Sequence, residues 1–338
     1  MIGFSQTSTA SNWLLLLLVF QLSCQPAFLD EEVKTSRKCG EEQGLLEKAQ
    51  TYFKPIEASQ PVGFDSALVA LGEELFRSVL LSQNKTQSCN SCHPLENYGM
   101  DGKRFSQGAL GDEALRNTPT VYNAVFNLAQ FWDGRAANLE EQALQPIFNR
   151  REMAMRDSSV LLERLRAEEK ITRLFERAFP ENDQPLGLSH LAKALAAFQK
   201  TLVTPTRFDA YLLGDETALT KKEKEGLGYF LDLGCSPCHS GVGVGGSMYQ
   251  PFGVVGYYWD YTGSERRDEG RYAITGDEGE RYWFKVPSLR NISKTAPYFH
   301  DGSISDLGQA VQAMASAQLN RPLESGELEA LLAFLKAL

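Results

Sequence analysis

Two short motifs constrain this chain more than anything else in it. Cys89-Asn90-Ser91-Cys92-His93 and Cys235-Ser236-Pro237-Cys238-His239 share the form Cys-x-x-Cys-His, and together they use four of the six cysteines and two of the four histidines. The pattern is that of covalent c-type haem attachment: the two thiols add across the haem vinyl groups and the adjacent His becomes the proximal iron ligand. Zinc would call for two nearby pairs closing one tetrahedral site, but these pairs lie 146 residues apart, each with its own His. A thioredoxin-like dithiol would sit in a βαβ setting, and the chain reads as helical. Two haem groups, one per motif, are the expectation.

The chain also repeats itself after each motif. Pro119-Thr120-Val121-Tyr122-Asn123 matches Pro287-Ser288-Leu289-Arg290-Asn291, and fourteen residues after each Pro comes Asp-Gly, at Asp133-Gly134 and Asp301-Gly302. Phe131 and Phe299 fall in the same register, as do Leu139 and Leu307. An ungapped match of this kind reads as two related units. The second unit carries 22 more residues between its haem motif and its Pro, a Gly-, Tyr- and acid-rich stretch from Gly241 to Tyr282 that reads as loop. The register exposes a divergence: Trp132 stands where the second half has His300, and Pro146 where it has Met314.

Helical periodicity supports an all-α fold of two cytochrome c-like domains, each with one covalently bound haem. Apolar residues at helical spacing run through Asp65 to Phe76, Ser189 to Leu202 and Ser325 to Leu338, and Thr220 with Glu223 forms a capping box opening a helix to about Leu233. No alternating strand is evident. Thr201 to Phe208 breaks the pattern, which gives an export signal over 1–24, a leader over 25–60, an N-terminal haem domain over 61–203 and a C-terminal one over 204–338. The apolar run Trp13 to Leu22 is too short to span a bilayer and fits a signal h-region, although no Lys or Arg precedes it. Leu22-Ser23-Cys24 resembles a lipoprotein cleavage site, so Cys24 is a lipid-anchor site, or leaves with the signal, or pairs with Cys39. The expected location is periplasmic or otherwise exported. A net charge of −9 excludes nucleic acid as a partner class.

With these residues in hand, roughly residues 61 to 338 resemble the bacterial di-haem cytochrome c peroxidases and their MauG-type relatives. The marks are LGEELFRS, the first haem site, RNTPTVYNA, FWDGR, LEEQA with REM, the second haem site, and VPSLRN, APYFHDG and AVQAM in that order. The resemblance implies reduction of hydrogen peroxide with electrons from a small cytochrome c or a cupredoxin. It implies that the C-terminal haem receives electrons between His239 and Met314. It implies that the N-terminal haem, on His93, reduces peroxide, with Glu152 shuttling a proton, Gln142 orienting the substrate and Trp132 relaying electrons. It also implies a calcium ion on the Asn117 side chain and the main-chain oxygens of Thr295 and Pro297, and allows a homodimer. By composition alone Met314 and Trp132 would be core residues, and Gln142 and Glu152 surface ones.

The sequence departs from many members of that family at one place. They carry a second His on the peroxidatic haem, and the matching position here is Ala109; no His lies between His93 and His190. The N-terminal iron is therefore expected to be open to peroxide without reductive activation, with Met100 in the same loop a packing residue. MauG-type proteins carry Tyr where this chain has Met314, which favours a peroxidase over a MauG-like oxidase of protein or organic substrates. A pure di-haem electron carrier would have both irons saturated. His190 reads as structural, and His300 has no assigned role.

Overall fold

The computed structural model describes residues 44–57 and 65–338, which form part of one compact unit. The helices expected from periodicity are present and capped as their ends suggest. Asp65 accepts from the Ala67 amide at 2.8 Å and starts the helix Ser66–Arg77. Thr220 and Glu223 close the reciprocal box that starts the helix Lys221–Asp232, with the Thr220 amide donating to Glu223 Oε2 at 2.7 Å. Helices Leu188–Lys200 and Ser325–Leu335 follow the other two predicted segments.

These helices pack as two equivalent pairs: Ser66–Arg77 against Leu188–Lys200, and Lys221–Asp232 against Ser325–Leu335. The same device closes each crossing. Gly72 faces the Ala194 carbonyl and Phe198 Cβ, and Gly226 faces the Ala330 carbonyl and Phe334 Cβ, so closely that a side chain on either glycine would collide with backbone. Two apolar cores grow around the pairs, one including Leu71, Leu75, Phe175 and Phe198, the other Phe208, Phe230, Leu331 and Phe334. Each fully buried side chain of this size contributes roughly 1.5–3 kcal/mol of transfer free energy.

The internal repeat is a structural one. Asn123 and Asn291 both adopt left-handed backbone (φ 61° and 60°), open equivalent 3₁₀ turns and donate from Nδ2 to the same hydroxyl, Thr204 Oγ1, at 2.8 and 2.7 Å. Phe131 and Phe299 are also left-handed (φ 68° and 71°), inside equivalent bridges Gln130–Ala136 and Tyr298–Ile304. The halves contact each other reciprocally: the Asn117 amide donates to the His300 carbonyl at 2.7 Å, and the Lys285 amide to the Trp132 carbonyl at 2.8 Å. Residues 117 and 285, like 132 and 300, occupy corresponding positions of the repeat.

Two expectations need correction. The all-α reading omitted a small antiparallel sheet, in which Tyr249–Pro251 pairs with Trp283–Lys285 and Tyr249 lies opposite Lys285. The stretch from Gly241 to Tyr282, read as loop, holds the first of these strands and short helices Tyr258–Thr262 and Tyr272–Thr275, and it encloses an aromatic cluster of Phe252, Tyr258 and Phe284. Strands of three residues are too short to display a period of two. The described part of the leader belongs with the C-terminal half: Phe53 packs edge-on against Phe208 at 5.3 Å, the Gly241 amide donates to the Tyr52 carbonyl, and the Ile56 amide donates to Asp209. The export signal, Cys24 and Cys39 lie outside the described residues. No helix among the described residues is long and apolar enough to cross a membrane.

Candidate active site

Each Cys-x-x-Cys-His motif forms one helical turn. The His93 amide donates to the Cys89 carbonyl at 2.9 Å and the His239 amide to the Cys235 carbonyl at 3.0 Å, so the two sulfurs and the imidazole of each motif issue from one turn. The four thiols are unpaired. Burial pushes Cys89 up to about 12, and Cys92 and Cys235 each to about 11. No cluster of three or more His, Cys, Asp or Glu among the described residues could hold a metal ion. Both histidines are kept neutral by burial, His239 down to about 4. The His93 Nδ1 lies 3.0 Å from the Gly99 carbonyl, which fixes the tautomer and leaves Nε2 free as a ligand. The Val244 and Pro287 carbonyls lie beside the His239 ring, but neither aligns with Nδ1, which is buried without a partner.

A half-buried carboxyl acts on the first motif. The helix Leu139–Phe148 carries Gln142, and the chain then turns at Asn149 and folds back, with the Met153 amide on the Pro146 carbonyl at 3.1 Å and the Met155 amide on Ile147 at 2.8 Å. Glu152 sits in that returning turn, where Asn149 Nδ2 donates to its Oε1 at 2.6 Å. Burial raises its pKa, against the opposing pull of Arg135 and the Asn149 bond. Its charge acts on both Cys89 and Cys92, which places it at the first haem motif. Pro146 has no amide to donate to the carbonyl four residues back, that of Gln142, so the helix opens there. Gln142 is half-buried. Ala109, the position matching a distal His, donates its amide to the Glu152 carbonyl at 2.7 Å. Gly108 packs so tightly on the Arg151 and Glu152 carbonyls that no side chain would fit. Met100 is a buried packing residue, 1% exposed.

Trp132 lies at the junction of the halves. Its indole donates to the Asn117 carbonyl at 2.9 Å, its ring sits 6.3 Å from His300, and it packs on the cluster of Phe252, Tyr258 and Phe284. Met314, half-buried on the helix Leu307–Leu319, packs on the same cluster, while Leu307 and Val311 of that helix reach the core containing Phe230, which lies 6.4 Å from His239. His300 stacks on Phe284 at 4.2 Å and is driven to about 4 by burial, with Nε2 unpartnered. His190 stacks on Phe179 at 3.9 Å with Nδ1 2.7 Å from the Pro185 carbonyl, a packing role.

Of the three positions read as calcium ligands, only Pro297 lines the neighbouring cavity. Asn117 Nδ2 donates to the Lys103 and Arg104 carbonyls at 2.9 and 3.3 Å, and Arg104 lines that cavity, of about 320 Å³, with Gly102, Pro297 and Ser303. Thr295 is not among the lining residues.

The sequence reading passed over Asn149, Arg135 and the ion network around Arg116. Arg116 binds Asp133 through Nη1 and Asp268 through Nε and Nη2, and Arg135 binds Asp133 at 3.1 Å. Arg135 was in view inside FWDGR and Asn149 three residues before Glu152; only the fold reveals that both act on that carboxyl.

Comparison with known proteins decides the family. Residues 66–217 match the model described as di-haem cytochrome c peroxidase. The chain is 40% identical over 302 residues to a cytochrome c551 peroxidase of Pseudomonas aeruginosa, covering 87% of this chain and 86% of that one.

The chain belongs to the di-haem cytochrome c peroxidase family.

A cytochrome c551 peroxidase of Nitrosomonas europaea is 42% identical over 288 residues, covering 85% of this chain and 83% of that protein. The crystal structure of a MauG-like protein associated with microbial copper homeostasis superposes with a TM-score of 0.72 at 30% identity, covering 84% of this chain and 92% of that one. The family implies two c-type haems, and the residues present fit them: four unpaired thiols in two Cys-x-x-Cys-His motifs, each ending in an imidazole that burial keeps neutral.

Proposed function

We propose that this chain reduces hydrogen peroxide to water with electrons from a small cytochrome c or cupredoxin. A haem on Cys89, Cys92 and His93 would supply the iron at which peroxide is reduced, and a second on Cys235, Cys238, His239 and Met314 the centre that receives electrons. Glu152 takes the proton from the near peroxide oxygen and returns it to the far one, so that water leaves rather than hydroxide. Its raised pKa suits a group that must both hold and release a proton. Asn149 fixes its orientation, and Gln142, seven residues before that asparagine, orients the substrate. Trp132 offers an aromatic stepping point for electrons where the halves meet. The Asn117 side chain and the main-chain oxygens of Thr295 and Pro297 would hold a calcium ion. Two domains, 61–203 and 204–338, each carry one haem, and the protein is exported, with Cys24 open to lipidation and the assembly to dimerisation.

The observation that carries this reading is a half-buried carboxyl, Glu152, held by Asn149 Nδ2 at 2.6 Å in a turn whose Glu152 carbonyl accepts the amide of Ala109, the position matching a distal His. The position matching a distal His is Ala109, and no His lies between His93 and His190, which supports an open first site. A protein-oxidising activity of the MauG type is the second reading, favoured by the MauG-like structural neighbour; Met314, a thioether at the position of a MauG tyrosine, argues against it. The test is stopped-flow mixing of half-reduced protein with one equivalent of peroxide, followed across the haem bands. A rapid second-order change at the N-terminal haem, then steady turnover with reduced cytochrome c, is expected. No reaction on mixing, or reaction without turnover by any small donor, overturns the proposal.

A further inference from the structure

Lys285 ends the strand Trp283–Lys285 with a side chain 8% exposed and no hydrogen-bond or ion-pair partner among the described residues. Burial alone acts on it and pushes its pKa down to about 8. An unpaired ammonium in the interior is costly enough that proteins supply a partner or do not keep the charge. No carboxylate among the described residues acts on its charge, and Asp133 and Asp268 are engaged with Arg116, Glu280 with Arg271. No anion among the described residues is paired with this lysine.

Its place in the repeat says which anion. Lys285 lies two residues before Pro287, whose carbonyl is beside the His239 ring; Asn117 lies two residues before Pro119, whose carbonyl is beside the His93 ring. Both are anchored through the amide to the opposite half, at 2.8 and 2.7 Å. Position 117 is where the first half is read to place a calcium ion. At the corresponding position the second half builds the cation into the chain.

We propose that the Lys285 ammonium is the counter-ion of a haem propionate carboxylate. The proposal rests on the two-haem reading above. A cation against a propionate neutralises it; without the cation, the bare carboxylate favours the more positive, ferric iron, and at low local dielectric the effect on potential is not screened away. Lysine has the reach and compact charge for this, and arginine keeps the charge with a different shape.

The test compares the holoprotein with Lys285→Met and Lys285→Arg. Haem-to-protein ratio is measured first: a parent protein without two haems per chain refutes the two-haem reading itself. With two haems present, spectroelectrochemical titration follows each haem separately. The expected result is a lower midpoint potential for one haem in Lys285→Met, no change in the other, and recovery towards the parent value in Lys285→Arg. A shift confined to the His239 haem assigns the propionate to it; a shift confined to the His93 haem assigns it across the junction. Should Lys285→Met fail to load haem, Lys285→Gln, which keeps a hydrogen-bond donor without charge, must show the same fall. Two fully loaded haems with unchanged potentials in the uncharged variant overturn the proposal.

Discussion

Replacing Glu152 by Gln separates a proton from a shape. The Asn149 Nδ2 donor, 2.6 Å from Oε1, keeps an acceptor in the glutamine carbonyl, and the volume is nearly unchanged. What disappears is a group able to carry a proton between two oxygens. Losing a positioned general acid–base costs about 10²–10⁴-fold in rate, or roughly 3–5 kcal/mol of barrier. Stability should move the other way. Burial raises the native pKa of Glu152. As pH climbs past the unfolded value of about 4.3, the unfolded chain releases its proton first, so a penalty on the native state grows until the pH passes its own higher pKa and is complete above it. Glutamine never ionises and escapes that penalty. Steady-state peroxide reduction with a reduced cytochrome c, run beside urea unfolding at pH 7, should show turnover down by two orders of magnitude or more. Haem spectra should be unchanged, and stability at least that of the parent. Parental turnover would remove Glu152 from the chemistry. Lost turnover accompanied by lost stability would mean that shape, not the proton, was at stake.

Asp209→Ala should cost about 3–5 kcal/mol, because it strips the bidentate partner from a fully buried Arg290 guanidinium; Lys48→Ala, at an exposed ion pair, should cost about 0–1 kcal/mol in the same urea melts. Gly72→Ala and Gly226→Ala each drive a methyl into a backbone carbonyl, and both should lose roughly 1–3 kcal/mol in thermal unfolding; one neutral and one damaging result would refute the equivalence of the two crossings. Burial alone would raise Asp268, but its hydrogen bond and ion pair with Arg116 prevail and hold it below the ordinary value. Its contribution is therefore present above about pH 4 and lost as pH falls through the lower native pKa, so Asp268→Asn should remove part of the acid-induced loss seen in unfolding at pH 7 and at about pH 3. Pro146→Met places a thioether where the second half has one; the expected result is a low-spin N-terminal haem that reacts slowly with peroxide, and an unaltered spin state would show that the two helices do not present position 146 and position 314 alike.

Much of this was legible because the chemistry is local in sequence. The haem motifs are single helical turns, and the capping box at Thr220 and Glu223 declares a helix within four residues. The repeat was visible because left-handed asparagines and phenylalanines hold fixed offsets from Pro and Asp-Gly. What escaped is long-range. Arg116 and Asp268 are 152 positions apart, and nothing near either predicts the other. The sheet hid because its strands are three residues long. Phe53 reads as part of a polar leader, yet it closes the core of the opposite half by packing on Phe208 and Phe230. Glu152 was recognisable from resemblance alone; its burial depends on a turn that folds back along the preceding helix.

The two halves make the same backbone hydrogen bonds to each other and differ in the side chains placed on them. An amide at 117 meets the carbonyl of 300, and one at 285 meets the carbonyl of 132, so the scaffold alone does not distinguish one centre from the other. The distinction enters at three corresponding pairs. Pro146 can neither donate an amide nor ligate, and it opens the helix at Gln142, whereas Met314 offers a thioether. Trp132 donates an indole proton to Asn117, whereas His300 is held neutral among aromatic rings with its Nε2 unbonded. Asn117 presents a neutral amide, whereas Lys285 presents a buried charge. A symmetric frame fixes the relation between two centres to within hydrogen-bond tolerance, and that leaves each free to vary in reactivity without disturbing the path between them. Division of labour in such a protein needs no second fold; it needs a few side chains, at positions the repeat already makes equivalent, to stop being the same.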